Sequence, residues 1–361
     1  MKYQDEYRDP KLAGSIVEAI RKKSHTPVRF MEVCGTHTVA IFRSGLKELL
    51  PETITLISGP GCPVCVTATQ DIDKAIMLCQ ERDVTVATFG DLMRVPGSES
   101  SLQQEKARGA DVRMVYASFD ALELARQHRD RRVVMLGIGF ETTVPTIAAA
   151  VHQAHQERLD NFMVLSAHKL LPPALETLLA ADEVNIDGFL CPGHVTTIIG
   201  TEPYQNVVDR HGKSCTVSGF EPVDILQSIY MLVCQIEEGR CEVEIQYSRA
   251  VDAKGNPRAR QLMEEVFEPA DTLWRGLGHI SQSGLRLRKK YTAHAAESHF
   301  DLTVPPAREL PGCRCGEVLR GVCTPLECGL FRKSCTPTNP YGPCMVSSEG
   351  TCAAYYKYHR D

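Results

Sequence analysis

The chain has 361 residues, 43% of them hydrophobic and 24% charged, the balance of a soluble globular protein with room for two or three domains. A net charge of -5 and the lack of a long basic run argue against nucleic acid as a partner. The polar opening MKYQDEYRDPKLAG has no apolar core of a secretory leader, and no apolar run is long enough to span a bilayer, so a cytoplasmic location is expected.

Residues 11–24 read as a helix within an N-terminal helical segment, 1–26. A rhythm then begins: strand 28–33, helix 38–50 ended by Pro51, strand 53–58, helix 69–81, strands 84–89 and 111–116, helix 120–128. It continues with strand 132–140, helix 143–155, strand 161–167, helix 172–181, strands 186–191 and 214–220, and helix 223–238. Short β-rich runs that alternate with helices predict βαβ units and mostly parallel sheets. The alternation is too long for one small sheet. The expected fold class is therefore α/β, with two stacked Rossmann-like domains over 27–128 and 129–240. After residue 240 the rhythm fades, and prolines and cysteines accumulate from 305 onward. Residues 241–361 are expected to form a loop-rich C-terminal domain stapled by metal.

Fifteen cysteines are the abnormal feature, and in a reducing compartment structural disulfides are not their expected use. Cys79, Cys215, Cys234 and Cys241 stand alone and read as small core residues. Nine others fall in two clusters: Cys34, Cys62 and Cys65, and then Cys313, Cys315, Cys328, Cys335, Cys344 and Cys352.

In EVCGTH, Cys34 follows a predicted strand and opens a helix, whose amide dipoles are expected to lower its thiol pKa. His37, three residues on, is placed to accept the thiol's proton or orient a ligand. In GPGCPVC, Cys62 and Cys65 form C-x-x-C, a spacing used for half a zinc site, a redox pair or part of a cluster site. No second C-x-x-C follows nearby, which favours redox or metal gripping over structural zinc. Asp91 and Glu141 also follow predicted strands, in TFGD and GFET. Ligands of open parallel sheets bind outside the carboxyl ends of the strands, so three thiols and two carboxylates are expected to face one cleft. The bland alternative is that Asp91 and Glu141 cap the helices after them. The GKS at 212–214 lacks the upstream glycine of a phosphate-binding loop, since position 207 is valine.

The tail holds one four-cysteine set spaced C-x14-C-x6-C-x16-C, namely Cys313, Cys328, Cys335 and Cys352. Four thiolates suit a [4Fe-4S] cluster or a structural zinc, and the lack of tight knuckles favours iron–sulfur. Cys315 or Cys344 remains able to replace one of the four.

CGTH, GPGCPVC, GFETT, CGEVLRG, the run from Cys335 to Gly350 and AAYYKY, taken in this order, resemble the HypD family of hydrogenase maturation factors, from about residue 28 to the C-terminus. The resemblance implies a scaffold that, with a small HypC-like chaperone, assembles the Fe(CN)2CO unit of [NiFe]-hydrogenase. Cyanide would come from HypE after HypF supplies the carbamoyl group. It implies Cys34 as the iron-holding thiolate and Cys62 and Cys65 as a redox pair near the iron, with Cys62 also touching it. It implies Cys313, Cys328, Cys335 and Cys352 as the [4Fe-4S] ligands. His37, Asp91 and Glu141 become candidates for hydrogen bonding or proton handling around the iron. Two other readings stand beside this one: a free-standing iron–sulfur disulfide reductase, and a zinc-stapled binding protein.

Overall fold

The computed structural model describes residues 5–181, 183–307 and 311–359. Its strands are β1 (Val28–Glu32), β2 (Ile54–Ser58), β3 (Val84–Thr88), β4 (Val112–Met114), β5 (Arg132–Gly137) and β6 (Phe162–Ser166). They continue with β7 (Gly188–Pro192), β8 (Ser214–Ser218), β9 (Val243–Ile245), β10 (Phe267–Trp274) and β11 (Gly278–Leu287). Two sheets are wholly parallel, in the orders β2-β1-β7-β8-β9 and β4-β3-β5-β6. The molecule is thus α/β, and its two parallel sheets share one core.

Parallel strands covered on both faces read as continuous apolar runs, and β5 shows how such a run divides. Val133 and Met135 face the helices Ser118–Gln127 and Val144–Gln156. Val134 and Leu136 point the other way, into a core that also holds Met31, Ile57 and Phe189 of the first sheet. The far face of the first sheet presents Phe30 and Leu190 to Ile20 of helix Pro10–Lys23 and to Ile225 and Ile229 of helix Pro222–Glu237. The period of two along each strand therefore builds three apolar layers with two sheets between them.

The expected boundary at 128/129 is crossed by both sheets. The first sheet takes β1 and β2 before residue 60 and β7, β8 and β9 after residue 187, while β3 to β6 form the second sheet between them. Periodicity finds strands but not their partners, so a unit set into another looks like two units in a row. The helix expected over 38–50 starts earlier and breaks: Gly35–Arg43 is followed by Gly45, at φ 62°, and the short turn Leu46–Leu49. The GKS stretch is a helix end, where Gly212 at φ 60° closes Glu202–His211 before β8.

The C-terminal stretch also holds regular elements beside its loops. It contributes helix Pro257–Val266 and the antiparallel hairpin of β10 and β11. Pro269 inside β10 and a half-exposed face hid the hairpin, whose outer strand needs no ladder donor at that position. The hairpin lies against the second sheet. Leu170 N donates to Ser283 O at 2.8 Å, and the buried Lys169 ammonium reaches Thr272 Oγ1 at 2.9 Å and Asp71 at 3.1 Å. Beyond residue 311 come only short helices, Cys315–Leu319, Pro343–Val346 and Thr351–Tyr358, among loops. Among the described residues no helix is long and apolar enough to cross a membrane.

Candidate functional site

A parallel sheet opens a crevice where successive strands turn away to opposite sides. In the first sheet β1 leads outward to β2 on one side, and β7 leads to β8 and β9 on the other, so the crevice lies beyond the ends of β1 and β7. Cys34 follows β1 there as the N-cap of helix Gly35–Arg43, and His194 follows β7 at the start of helix Gly193–Ile199. The Cys34 sulfur lies 3.9 Å from His194 Nδ1.

The turn after β2 is locked onto this point. Gly35 N donates to Gly61 O at 3.0 Å, and a Cβ on Gly61 would collide with the backbone of Val33 and Cys34. Cys62 and Cys65, next along that turn, form a disulfide whose Cα atoms are 5.2 Å apart. The C-terminal segment closes the other side. Thr36 Oγ1 donates to Glu349 at 2.6 Å, the Ser347 hydroxyl lies 3.3 Å from Cys62 Sγ, and Cys65 Sγ lies 4.0 Å from the Pro343 carbonyl. The turn that carries Cys62 and Cys65 is thus locked against the backbone of Cys34, and β1, β2, β7 and the tail each bring a residue to this place.

The electrostatics differ from expectation in two ways. Burial pushes the Cys34 thiol up to about 12, outweighing the amide groups of His37 and Thr36 that favour its thiolate. The helix terminus alone would lower it, but the sulfur is buried at 1% exposure, and desolvation wins. His37 turns away from the thiol: its Nε2 donates to Gly219 O at 2.9 Å and its ring stacks on Phe220. Burial, with His194 nearby, lowers its pKa to about 4, so it is a neutral packing residue behind the site. His194 supplies the imidazole that His37 was expected to supply, and burial lowers its pKa to about 4 as well. A signal for it existed: CPGH after strand 186–191 repeats the strand–cysteine–glycine–histidine pattern of CGTH.

Asp91 and Glu141 belong to the second sheet, not to this crevice. Asp91 is exposed at the end of β3, in the turn Gly90–Leu92. Glu141 is buried, and one carboxylate oxygen accepts from Leu171 N at 2.9 Å, at the start of helix Leu171–Ala180. It caps a helix, as the bland alternative had it, though one that starts thirty residues after Glu141 and not the next helix along the chain. Burial raises its carboxyl pKa to about 7.

The tail cysteines gather around one cavity. Its walls carry Cys313, Cys315, Cys328, Cys335, Cys344 and Cys352. Cys315 and Cys344 lie within it with sulfurs 2.9 Å apart, and Cys315 also neighbours Cys313 as Cys344 neighbours Cys352. Tyr341 N points at Cys335 Sγ at 3.4 Å, a donor of the kind that tunes cluster sulfurs. At Gly342 a Cβ would come within 3.0 Å of Cys313 Sγ, so this wall has no room for a side chain. Among the described residues no three His, Cys, Asp or Glu side chains converge on one point as a single metal ion requires. Each thiolate of a four-iron cluster binds a different iron, so its ligands ring a cavity instead. The residues present fit such a cluster.

A family model described as the hydrogenase formation hypA family, HypD, matches residues 11–359. The chain is 48% identical to the hydrogenase maturation factor HypD2 of Bradyrhizobium diazoefficiens, over 100% of this chain and 97% of that protein. It is 48% identical to the hydrogenase maturation factor HypD of Cupriavidus necator, over 100% of this chain and 98% of that protein. With the factor of the same name from Escherichia coli the identity is 45%, over 100% of this chain and 99% of the relative. With its motifs, its buried cysteine crevice and these full-length relatives in agreement, the chain belongs to the HypD family of hydrogenase maturation factors.

Proposed function

We propose that this chain is the scaffold on which the Fe(CN)2CO unit of [NiFe]-hydrogenase is assembled, with Cys34 as its iron-holding thiolate. One observation carries the reading: a buried thiol at the first sheet's crevice, beside a neutral imidazole and the Cys62–Cys65 pair. Soft thiolates suit low-spin iron that carries cyanide and carbon monoxide. His194 is the base nearest the Cys34 proton, which must leave when the sulfur takes metal. A small HypC-like chaperone would contribute a further thiolate and close the crevice, and HypE, served by HypF, would deliver cyanide. Cys62 sits in the turn locked against Cys34 and would share the iron when the pair is reduced. The reading places the protein in the cytoplasm, beside those partners.

Cys313, Cys328, Cys335 and Cys352 would hold a [4Fe-4S] cluster, which supplies electrons one at a time. Supporting this, sulfur runs from the six-cysteine cavity toward the crevice. Cys315 and Cys344 form a close pair in the cavity wall, and the segment of Cys344 packs Pro343 and Ser347 against Cys65 and Cys62. Opening the Cys62–Cys65 bond takes two electrons and two protons and leaves two thiols.

The test is infrared spectroscopy of the anaerobic protein, co-purified with its HypC-like partner, in the cyanide and carbon monoxide stretch region. Bands in the wild type that vanish in Cys34→Ala are the expected result. Bands that persist in the variant would move the iron to Cys62 or Cys65. No bands in either protein, from cells that make active hydrogenase, would favour the free-standing disulfide reductase.

A further inference from the structure

The six-cysteine cavity has an inner and an outer side, and they differ in chemistry. Its inner wall, Cys315, Cys344 and Met345, is buried and leads toward the Cys62–Cys65 turn. Its outer wall is Cys313, Cys328 and Leu330, all partly exposed, with Phe331 behind them. Two exposed apolar residues stand near this outer wall, one two positions before Cys328 and one on the helix that carries Cys352. Leu326 is 47% exposed, and Tyr356 is 37% exposed with its ring edge against Phe331.

The surface is also basic. From Leu326 to His359 the sequence holds two acids, Glu327 and Glu349, in a chain whose net charge is -5, and Glu327 accepts from Thr324 N of its own turn at 2.7 Å. Glu349 faces inward, where it accepts from Thr36. The bases of the same stretch face out: Arg332, Lys333 and Lys357 are exposed. Arg332 donates to the His359 carbonyl at 2.7 Å, which ties the outer loop to the end of the helix that carries Cys352 and Lys357. Apolar centre and charged rim are the layout of a docking surface.

We propose that this face is the docking site for a small acidic protein that carries a one-electron centre. The inference rests on the cluster reading above. Leu326, Leu330 and Tyr356 supply the apolar contact, and Lys333 and Lys357 steer the acidic carrier. Each encounter delivers one electron, and the carrier is oxidised by one. Opening the Cys62–Cys65 disulfide needs two electrons, with two protons from solvent, so two carriers must dock in turn. A contact made and broken twice per cycle suits a small, salt-sensitive interface over a tight one.

The test uses the full chain, purified anaerobically, with its iron and acid-labile sulfide measured first, and a small acidic [2Fe-2S] ferredoxin as probe. The readouts are the binding affinity over a salt series and the rate at which reduced probe is oxidised. The wild type should bind measurably, and binding should weaken steadily as salt rises. The double variant Lys333→Glu with Lys357→Glu should lose roughly tenfold in affinity and in rate at low salt, chiefly through slower association. Arg129→Glu, an exposed base of another region, should change neither. Unchanged affinity in the double variant, with the cluster present, would overturn the docking face. Lack of iron and sulfide in the wild type would instead overturn the cluster reading, and the binding readout would still report on the surface.

Discussion

The two parallel sheets are built alike and used differently. Each has a crevice where its strands turn apart, between β1 and β7 in the first and between β3 and β5 in the second. The first crevice gathers Cys34, His194, the Cys62–Cys65 pair and Glu349. The second is filled by the chain itself: Phe140, just past β5, stacks on Trp274 of the hairpin at 6.0 Å, and Glu141 turns to cap a helix. Topology offers a ligand site at both places. The difference lies in the turns: those of the first crevice carry sulfur, and the chain's own tail packs onto them through Glu349 and Ser347.

The sharpest way to break this comparison is a methyl group in each crevice. Gly61→Ala drives a Cβ into the backbone of Val33 and Cys34, which cannot give way. We expect a loss of about 2–4 kcal/mol, with displaced thiols, read by denaturant unfolding of the anaerobic protein. Gly90→Ala, in the turn after β3, meets only the Met114 sulfur at 2.8 Å, the end of a flexible and 47% exposed side chain. Its effect should stay within about 1 kcal/mol of either sign. Equal costs at the two positions would mean that the first crevice is no more tightly determined than the second.

Much of this was legible in the sequence, for reasons the same residues explain. The strands of both sheets announce themselves as short apolar runs because both faces are covered. Cys34, Cys62 and Cys65 were found together because each follows a strand, and parallel strands bring their carboxyl ends to one side. What periodicity could not supply was the partner of β1. It pairs with β7, some 156 residues later, which puts His194 rather than His37 beside the thiol. Nor could it show that Asp91 and Glu141 end strands of a different sheet. The rise of the Cys34 pKa depends on burial by the distant tail, a tertiary fact that the local helix signal does not contain.

Glu141 sharpens the comparison from the second sheet. Burial raises its carboxyl to about 7 in the folded chain, against an ordinary value of 4.5. Between those values the folded state holds a proton that the unfolded state has released. Stability from this group is thus complete below pH 4.5, falls as pH rises toward 7 and is then level, a change of about 3 kcal/mol. Buried His37, lowered to about 4, pulls the other way over an overlapping range, so the wild-type profile is mixed. The difference between wild type and Glu141→Gln isolates the carboxyl. The variant should gain relative stability as pH rises from 5 to 7, without change in the infrared bands. A change in those bands would return Glu141 to the iron site.

The smallest effect belongs to Ser347, at the contact between tail and crevice. Glu349 N donates to the Ser347 oxygen at 3.2 Å, which leaves the hydroxyl proton free to point at Cys62 Sγ, 3.3 Å away. A donor at that distance favours the sulfur when it carries charge, as it does once the Cys62 thiol of the reduced pair gives up its proton. Ser347→Ala should therefore make the Cys62–Cys65 disulfide harder to reduce, by roughly 10–30 mV for a bond worth about 0.5–1.5 kcal/mol. The midpoint can be read by thiol labelling at poised potentials. Thr143→Ala at the second crevice, whose hydroxyl bonds only the Phe140 carbonyl at 3.1 Å, should leave the midpoint unmoved. A shift toward easier reduction in Ser347→Ala would show that the hydroxyl holds the disulfide rather than the thiolate. The tail would then act as a brake on opening the pair, not as an aid to it.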